Sequence, residues 1–158
     1  MAPGGPTLAF AEAFGKRLEA RYTAEIIDGL AYWRDPARRK ANPRHASAEA
    51  LRIKTPAYFA DAKKSRAFVK LLTDEAYDPR VNNTLFAELG KGFDLREALH
   101  AVRVPVMIVQ ARQDPVQATD DIVAAMPQAK VLWIDGAGHY PWLEQPNAFA
   151  RALVKAMQ

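Results

Sequence analysis

Two side chains in the second half of the sequence are of the types that share a proton. Asp114 stands in Gln110-Ala111-Arg112-Gln113-Asp114-Pro115, and His139 in Gly136-Ala137-Gly138-His139-Tyr140-Pro141-Trp142. Each follows a short apolar run, Val104 to Val109 before the acid and Val131 to Ile134 before the histidine. An imidazole can take a proton from a nucleophilic hydroxyl and return it to a leaving group. A carboxylate on its far nitrogen fixes the tautomer and stabilises the imidazolium. Asp135 competes for the role of acid, but it lies so close to His139 in sequence that it is assigned to the turn. Asp114 ranks ahead of it.

The nucleophile that such a pair would serve is missing. Covalent hydrolysis on a strand-to-helix elbow uses Gly-x-Ser-x-Gly, whose glycines permit a tight backbone approach. The only serines are Ser47 and Ser65, neither flanked by glycine, and there is no cysteine. An aspartate elbow is also ruled out, because no two of the 8 glycines stand four residues apart.

Acid before histidine, each at a strand end, is the order used by α/β-hydrolases. From about Val102 to the C-terminus the sequence resembles the last part of that superfamily, in the style of its proline iminopeptidase branch. Arg112-x-Asp114-Pro115-Val116 is similar to the family's acid turn. Ala137-Gly138-His139-Tyr140-Pro141-Trp142-Leu143-Glu144-Gln145-Pro146 is similar to its histidine turn and following helix. Ala111 stands where the family usually has glycine. Met1 to Thr7 resembles the segment that leaves the family's sixth strand for the lid, which would put the strands bearing the oxyanion loop and nucleophile before Met1. The resemblance implies Asp114 and His139 as catalytic residues, with Tyr140 and Trp142 walling an apolar acyl or prolyl pocket. It also implies lid carboxylates for a prolyl amine, with Glu49, Asp61 and Glu88 as open choices. No cofactor or metal is implied, and His45 and His100 are read as surface or lid residues without metal-ligand spacing.

The elements that must position this pair fall into two parts. Residues 1–100 are expected to form a helical lid. Thr7 would cap a helix with Phe10, Phe14 and Leu18 on one stripe, and Thr23 a second with Ile26, Leu30 and Trp33. Ser47 would open a short helix ended by Thr55-Pro56. Tyr58, Phe59, Phe68, Leu71 and Leu72 offer a further apolar surface, and Val81, Leu85 and Leu89 another stripe. Asp94 with Glu97 forms a capping box. Residues 101–158 are expected to be a β-α-β-α unit: strands at 104–109 and 131–134, a crossover helix over 120–126, and a last helix opened by Pro146. The predicted fold class is α/β, the C-terminal part of an α/β-hydrolase fold with an incomplete core sheet.

With 158 residues, 49% of them apolar, the chain can bury one core but is short for a complete hydrolase of this kind. Absence of cysteine excludes a disulfide scaffold, and no apolar run approaches a membrane span, so a cytoplasmic protein is expected. The net charge of +4 is concentrated in Arg34 to Arg44, read as a solvated linker rather than a nucleic-acid surface because no aromatics interleave it. Two apolar parallel strands are marginal alone. The chain is therefore expected to self-associate through its sheet or to be completed by a missing N-terminal portion. A small molecule or short peptide would be the substrate once it is completed, and the chain alone would be inactive. The alternatives are a non-catalytic interaction module derived from a hydrolase, or one half of a split enzyme.

Overall fold

A computed structural model describes residues 4–76 and 78–158; Met1 to Pro3 of the opening segment lie outside the described residues. Among the described residues, seven α-helices precede the first strand: α1 (Phe10–Glu19), α2 (Ala24–Arg34), α3 (Pro36–Ala41), α4 (Pro43–Lys54), α5 (Ser65–Val69), α6 (Pro79–Leu89) and α7 (Arg96–His100). There follow β1 (Met107–Ala111), α8 (Thr119–Ala125), β2 (Lys130–Ile134), α9 (Pro141–Glu144) and α10 (Pro146–Ala156). Among the described residues the sheet has these two strands, parallel and in register from Met107 opposite Lys130 to Ala111 opposite Ile134. This is an α/β fold whose sheet is partial.

Local chemistry explains most of the helix boundaries. Thr23 caps α2, its hydroxyl accepting the Ile26 amide, and Ile26 and Leu30 bury against Leu18 and Ala57. The basic stretch that reads as a linker is helical instead. Asp35 and Asn42 cap α3 and α4, and each is followed by a proline in the first turn, where its missing N–H costs nothing. Consequently Ser47 lies inside α4 rather than opening it. Thr7 does not cap α1, which has no side-chain cap; it pairs with Asp94 in an antiparallel bridge, beside a Leu95 amide donating to the Pro6 carbonyl at 2.8 Å. The capping box expected of Asp94 and Glu97 is not formed: Asp94 accepts the Arg96 amide, and α7 starts after Leu95 with no side-chain cap.

The first strand departs from expectation at both ends, starting late and running two residues past Val109 to Ala111. β1 begins at Met107, three residues after the apolar run starts, because Pro105 has no N–H to give a ladder. Ile108 packs with Ile122, Met126 and Ala129 on one face, and Ala111 with Ile134 and Ala137 on the other, where Phe149 of α10 covers them. Both faces of the strands are thus used, as in parallel sheets. The stripe on α6 is different: Val81 and Leu85 are exposed, and that helix buries no residue.

Candidate active site

The parallel pairing of β1 and β2 brings their C-terminal ends side by side, and the loop after each carries one polar group toward the other. Asp114 ends a turn closed by its own amide on the Ala111 carbonyl. The loops are tied to each other where Gln113 donates its amide to the Ala137 carbonyl at 3.1 Å and accepts the Ala137 amide on Oε1 at 3.2 Å. His139 then places Nδ1 3.2 Å from Oδ1 and 3.1 Å from Oδ2 of Asp114. The carboxylate is 1% exposed and the imidazole 22%. A buried acid is therefore paired with a ring whose other nitrogen can reach outward.

Asp114 is held on two further sides. Oδ1 accepts the Val116 amide at 2.8 Å, and Oδ2 accepts Nε2 of Gln110 at 3.3 Å. Gln110 is fully buried; its amide also donates to the Ala111 carbonyl, and its Oε1 accepts the Thr119 hydroxyl at 3.2 Å. Such a fully paired chain of polar groups fixes the orientation of the carboxylate. Asp135, the competing acid, is exposed and binds Arg112 at 2.8 Å, so it is engaged away from the imidazole.

The histidine turn is fastened to the helical layer. The His139 amide donates to the Tyr58 carbonyl at 2.8 Å. Glu144, 3% exposed, accepts the Gly138 amide on one oxygen at 2.6 Å and the Ala60 and Asp61 amides on the other at 2.9 and 3.0 Å. Gly138 is required for this approach: a Cβ there would stand 2.2 Å from the Tyr58 oxygen. Gly136 serves the turn differently, with φ of +68°, in the left-handed region glycine adopts without strain.

Arg17 on α1 and Arg21 in the turn just past its end reach the acid loop. Arg17 donates to the carbonyls of Pro115 at 2.9 Å and Gln117 at 2.7 Å; Arg21 donates to those of Gln113 at 2.5 Å and Ala57 at 3.2 Å. Burial pulls the Arg21 guanidinium below its ordinary value, opposed by the negative charges of Asp114 and Glu144. Gln110, Glu144, Arg17 and Arg21 were not singled out by sequence. Gln110 had a signal, being a polar residue within an apolar strand. The arginines bond across 98 and 92 positions, and nothing local marks them.

Aromatic rings surround the imidazole. Tyr58 and Tyr140 lie 5.6 and 5.1 Å from it, centroid to centroid, and Tyr140 stacks further on Phe59 and Phe68. Burial, then neighbouring negative charge, raises the phenols of both tyrosines. Trp142 meets Tyr140 edge-on at 5.7 Å and remains partly exposed. A cavity of about 500 Å³ opens beside the acid turn, walled by Arg21, Ile26, Pro56, Phe59, Ala60 and Gln113. Tyr140 and Trp142 are not among its walls. Of the carboxylates open for an amine, Glu49 pairs with Arg52 and Glu88 with Lys91, while Asp61 caps the Lys63 amide. His45 pairs with Asp74 at 2.8 Å, away from His139. Among the described residues no cluster of metal-ligating side chains occurs.

Residues 3–152 match the model of the alpha/beta hydrolase family. The chain belongs to that family. Among solved structures, the chain is similar to the crystal structure of serine hydrolase CCSP0084 from the polyaromatic hydrocarbon-degrading bacterium Cycloclasticus zankles, at a TM-score of 0.53 and 17% identity. The match covers 85% of this hydrolase-family chain and 49% of that one, so the chain spans about half the length of that serine hydrolase. At this identity the likeness is one of fold. No curated protein matches the chain. Among the described residues of this α/β hydrolase, no helix is long and apolar enough to cross a membrane.

Proposed function

We propose that this chain is the acid–histidine half of a serine α/β-hydrolase site, with Asp114 and His139 in those roles. Residues 1–100 act as the lid and 101–158 as the C-terminal portion of the core. The observation that carries the reading is the imidazole Nδ1 within 3.2 Å of both oxygens of a buried carboxylate, at the ends of adjacent parallel strands. In that arrangement Nδ1–H donates to Asp114, and Nε2 is free to take the proton of an attacking hydroxyl. It then gives that proton to the leaving alcohol or amine as the tetrahedral intermediate collapses.

No serine in these 158 residues has an elbow context, so the reading assigns the nucleophile and oxyanion donors to polypeptide outside them. The substrate is an ester or amide. The likeness of the acid and histidine turns to the proline iminopeptidase branch favours an N-terminal prolyl peptide, with Tyr140 and Trp142 against the apolar ring. Alone, the pair lacks the groups of the covalent step and turns nothing over. The test is to give the purified chain nitrophenyl esters and a prolyl anilide. Rates equal to those of His139→Ala are expected, and turnover abolished by His139→Ala would overturn the reading.

A second reading is an interaction module. The observation in its favour is the almost wholly apolar hollow of about 310 Å³ beside β1, walled by Gly4, Gly5, Leu99, Val106 and Ile108 among others. Such a surface against a two-stranded sheet suits an added strand, from a second copy or from the other half of a split enzyme.

A further inference from the structure

The helical layer contains a second polar pocket, remote in character from the Asp114–His139 pair. It measures about 170 Å³ and lies between α2, α3, α4 and α6. At the share of volume a water takes in the liquid, about 30 Å³, this is room for five or six waters, enough for one tetrahedral ion together with part of its hydration. Its polar walls come from Arg34, Arg39 and Lys54, with the Ser47 hydroxyl and the Asn82 and Asn83 amides completing them. No carboxylate lines it.

The distribution of charge around the pocket is uneven in a specific way. Neighbouring cations have carboxylate partners: Arg52 has Glu49 and Asp74, and Arg44 and Arg80 share Asp78. Arg38 lies over the Tyr32 ring. Among the described residues, Arg34, Arg39 and Lys54 have no salt bridge and no side-chain hydrogen bond. Lys54 is only half-buried, yet burial, and then the nearby Arg34 guanidinium, pulls its ammonium below the ordinary lysine value. Bringing two cations together at a partly desolvated wall without a counter-charge is unfavourable, and a bound anion removes the penalty.

We propose that this pocket binds a tetrahedral oxyanion, either inorganic phosphate or the phosphate head of a small ester. Guanidinium groups offer paired donors that match two phosphate oxygens, the ammonium adds a point charge, and hydroxyl and amide groups complete the shell. A hollow of this size takes a small ligand rather than an extended polyanion, and the single ring in its wall, that of Trp33, cannot stack successive bases. The basic stretch from Arg34 to Arg44 is then part of a binding site, because Pro36 and Pro43 start helices that fold it back on itself.

Calorimetric titration of the full chain with inorganic phosphate, and separately with phenyl phosphate, tests this at physiological ionic strength. Saturable binding at one site is expected. Arg39→Gln and Lys54→Met should each weaken it by about tenfold or more, as loss of a charge-assisted hydrogen bond implies, while Arg66→Gln, an exposed position on α5, should leave it unchanged. Tighter binding of phenyl phosphate would identify an ester head as the ligand, and equal or weaker binding the free ion. If Lys54→Met fails to fold, the exposed pair Arg34→Gln and Arg39→Gln decides. The proposal is overturned by absence of saturable binding to both probes or by equal binding in the folded variants. It is also overturned if a short single-stranded oligonucleotide binds more tightly than either, which would mark a nucleic-acid surface.

Discussion

Glu144 and Gly138 are joined by a 2.6 Å hydrogen bond from the glycine amide to a buried carboxylate, whose second oxygen takes the amides of Ala60 and Asp61. One side chain thus ties the turn that carries His139 to the segment that follows Tyr58. The position of the imidazole depends on the helical layer as well as on β2.

Replacing Glu144 by Gln keeps the shape but turns one acceptor into a donor, leaving a buried amide unpaired. Destabilisation of about 1–3 kcal/mol is expected. Urea denaturation followed by circular dichroism measures it, and an unchanged midpoint would show that the carboxylate does not hold the two segments.

The two glycines of the histidine turn should respond unequally to alanine. At Gly136 the left-handed conformation costs roughly 1–2 kcal/mol, and the nearest obstacle is the flexible end of Gln145. At Gly138 the new Cβ would meet backbone, 2.2 Å from the Tyr58 oxygen and 2.8 Å from the Ala60 nitrogen. Gly138→Ala should therefore be the more damaging by denaturant midpoint; the reverse order would place the strain in the wrong half of the turn.

Arg17 fastens the carbonyls of Pro115 and Gln117, which flank the Val116 amide bound to Asp114. Arg17→Met should speed hydrogen exchange at Val116 about fivefold to thirtyfold, in line with loss of two bonds worth roughly 0.5–1 kcal/mol or more each. Exchange unchanged at Val116 would mean that α1 does not steady the acid turn.

These ties also mark the limit of what the sequence made legible. The strand pair, the crossover helix and the order of acid and histidine could be read because apolar runs and turn residues are local signals. Gly138 was visible as a turn residue, but its need for close approach to Tyr58 was not, since Tyr58 lies 80 positions away in the chain. Ser47 was misread as a helix start because Pro36 and Pro43 look like breakers until Asp35 and Asn42 are seen to cap the helices they open. The Val81 and Leu85 stripe was correctly periodic; exposure depends on partners that periodicity does not reveal.

Acid should weaken the local bonding at the start of α7, where, among the described residues, the Asp94 carboxyl is held by Arg96 alone. Hydrogen bonds from the Arg96 side chain, and then from its amide, hold the Asp94 carboxyl down to about 2, from 3.8. A depressed folded value means that the contribution is present above about 3.8 and lost as the pH falls through about 2, below which both states are protonated. Asp74 and Asp78, lowered by their partners His45 and Arg80, act in the same direction. Asp94→Asn should flatten the pH dependence of the melting temperature in that window; an unaltered slope would remove Asp94 from the account.

The nitrogen-15 spectrum of the His139 ring is the most direct measurement, assigned by loss of its signals in His139→Gln and recorded at neutral pH. The proton is expected on Nδ1, facing Asp114, with Nε2 bare, and Asp114→Ala should abolish that preference while the chain stays folded. A proton on Nε2 in the unaltered chain, or a ring indifferent to Asp114→Ala, would contradict the pairing from which the hydrolase reading is built.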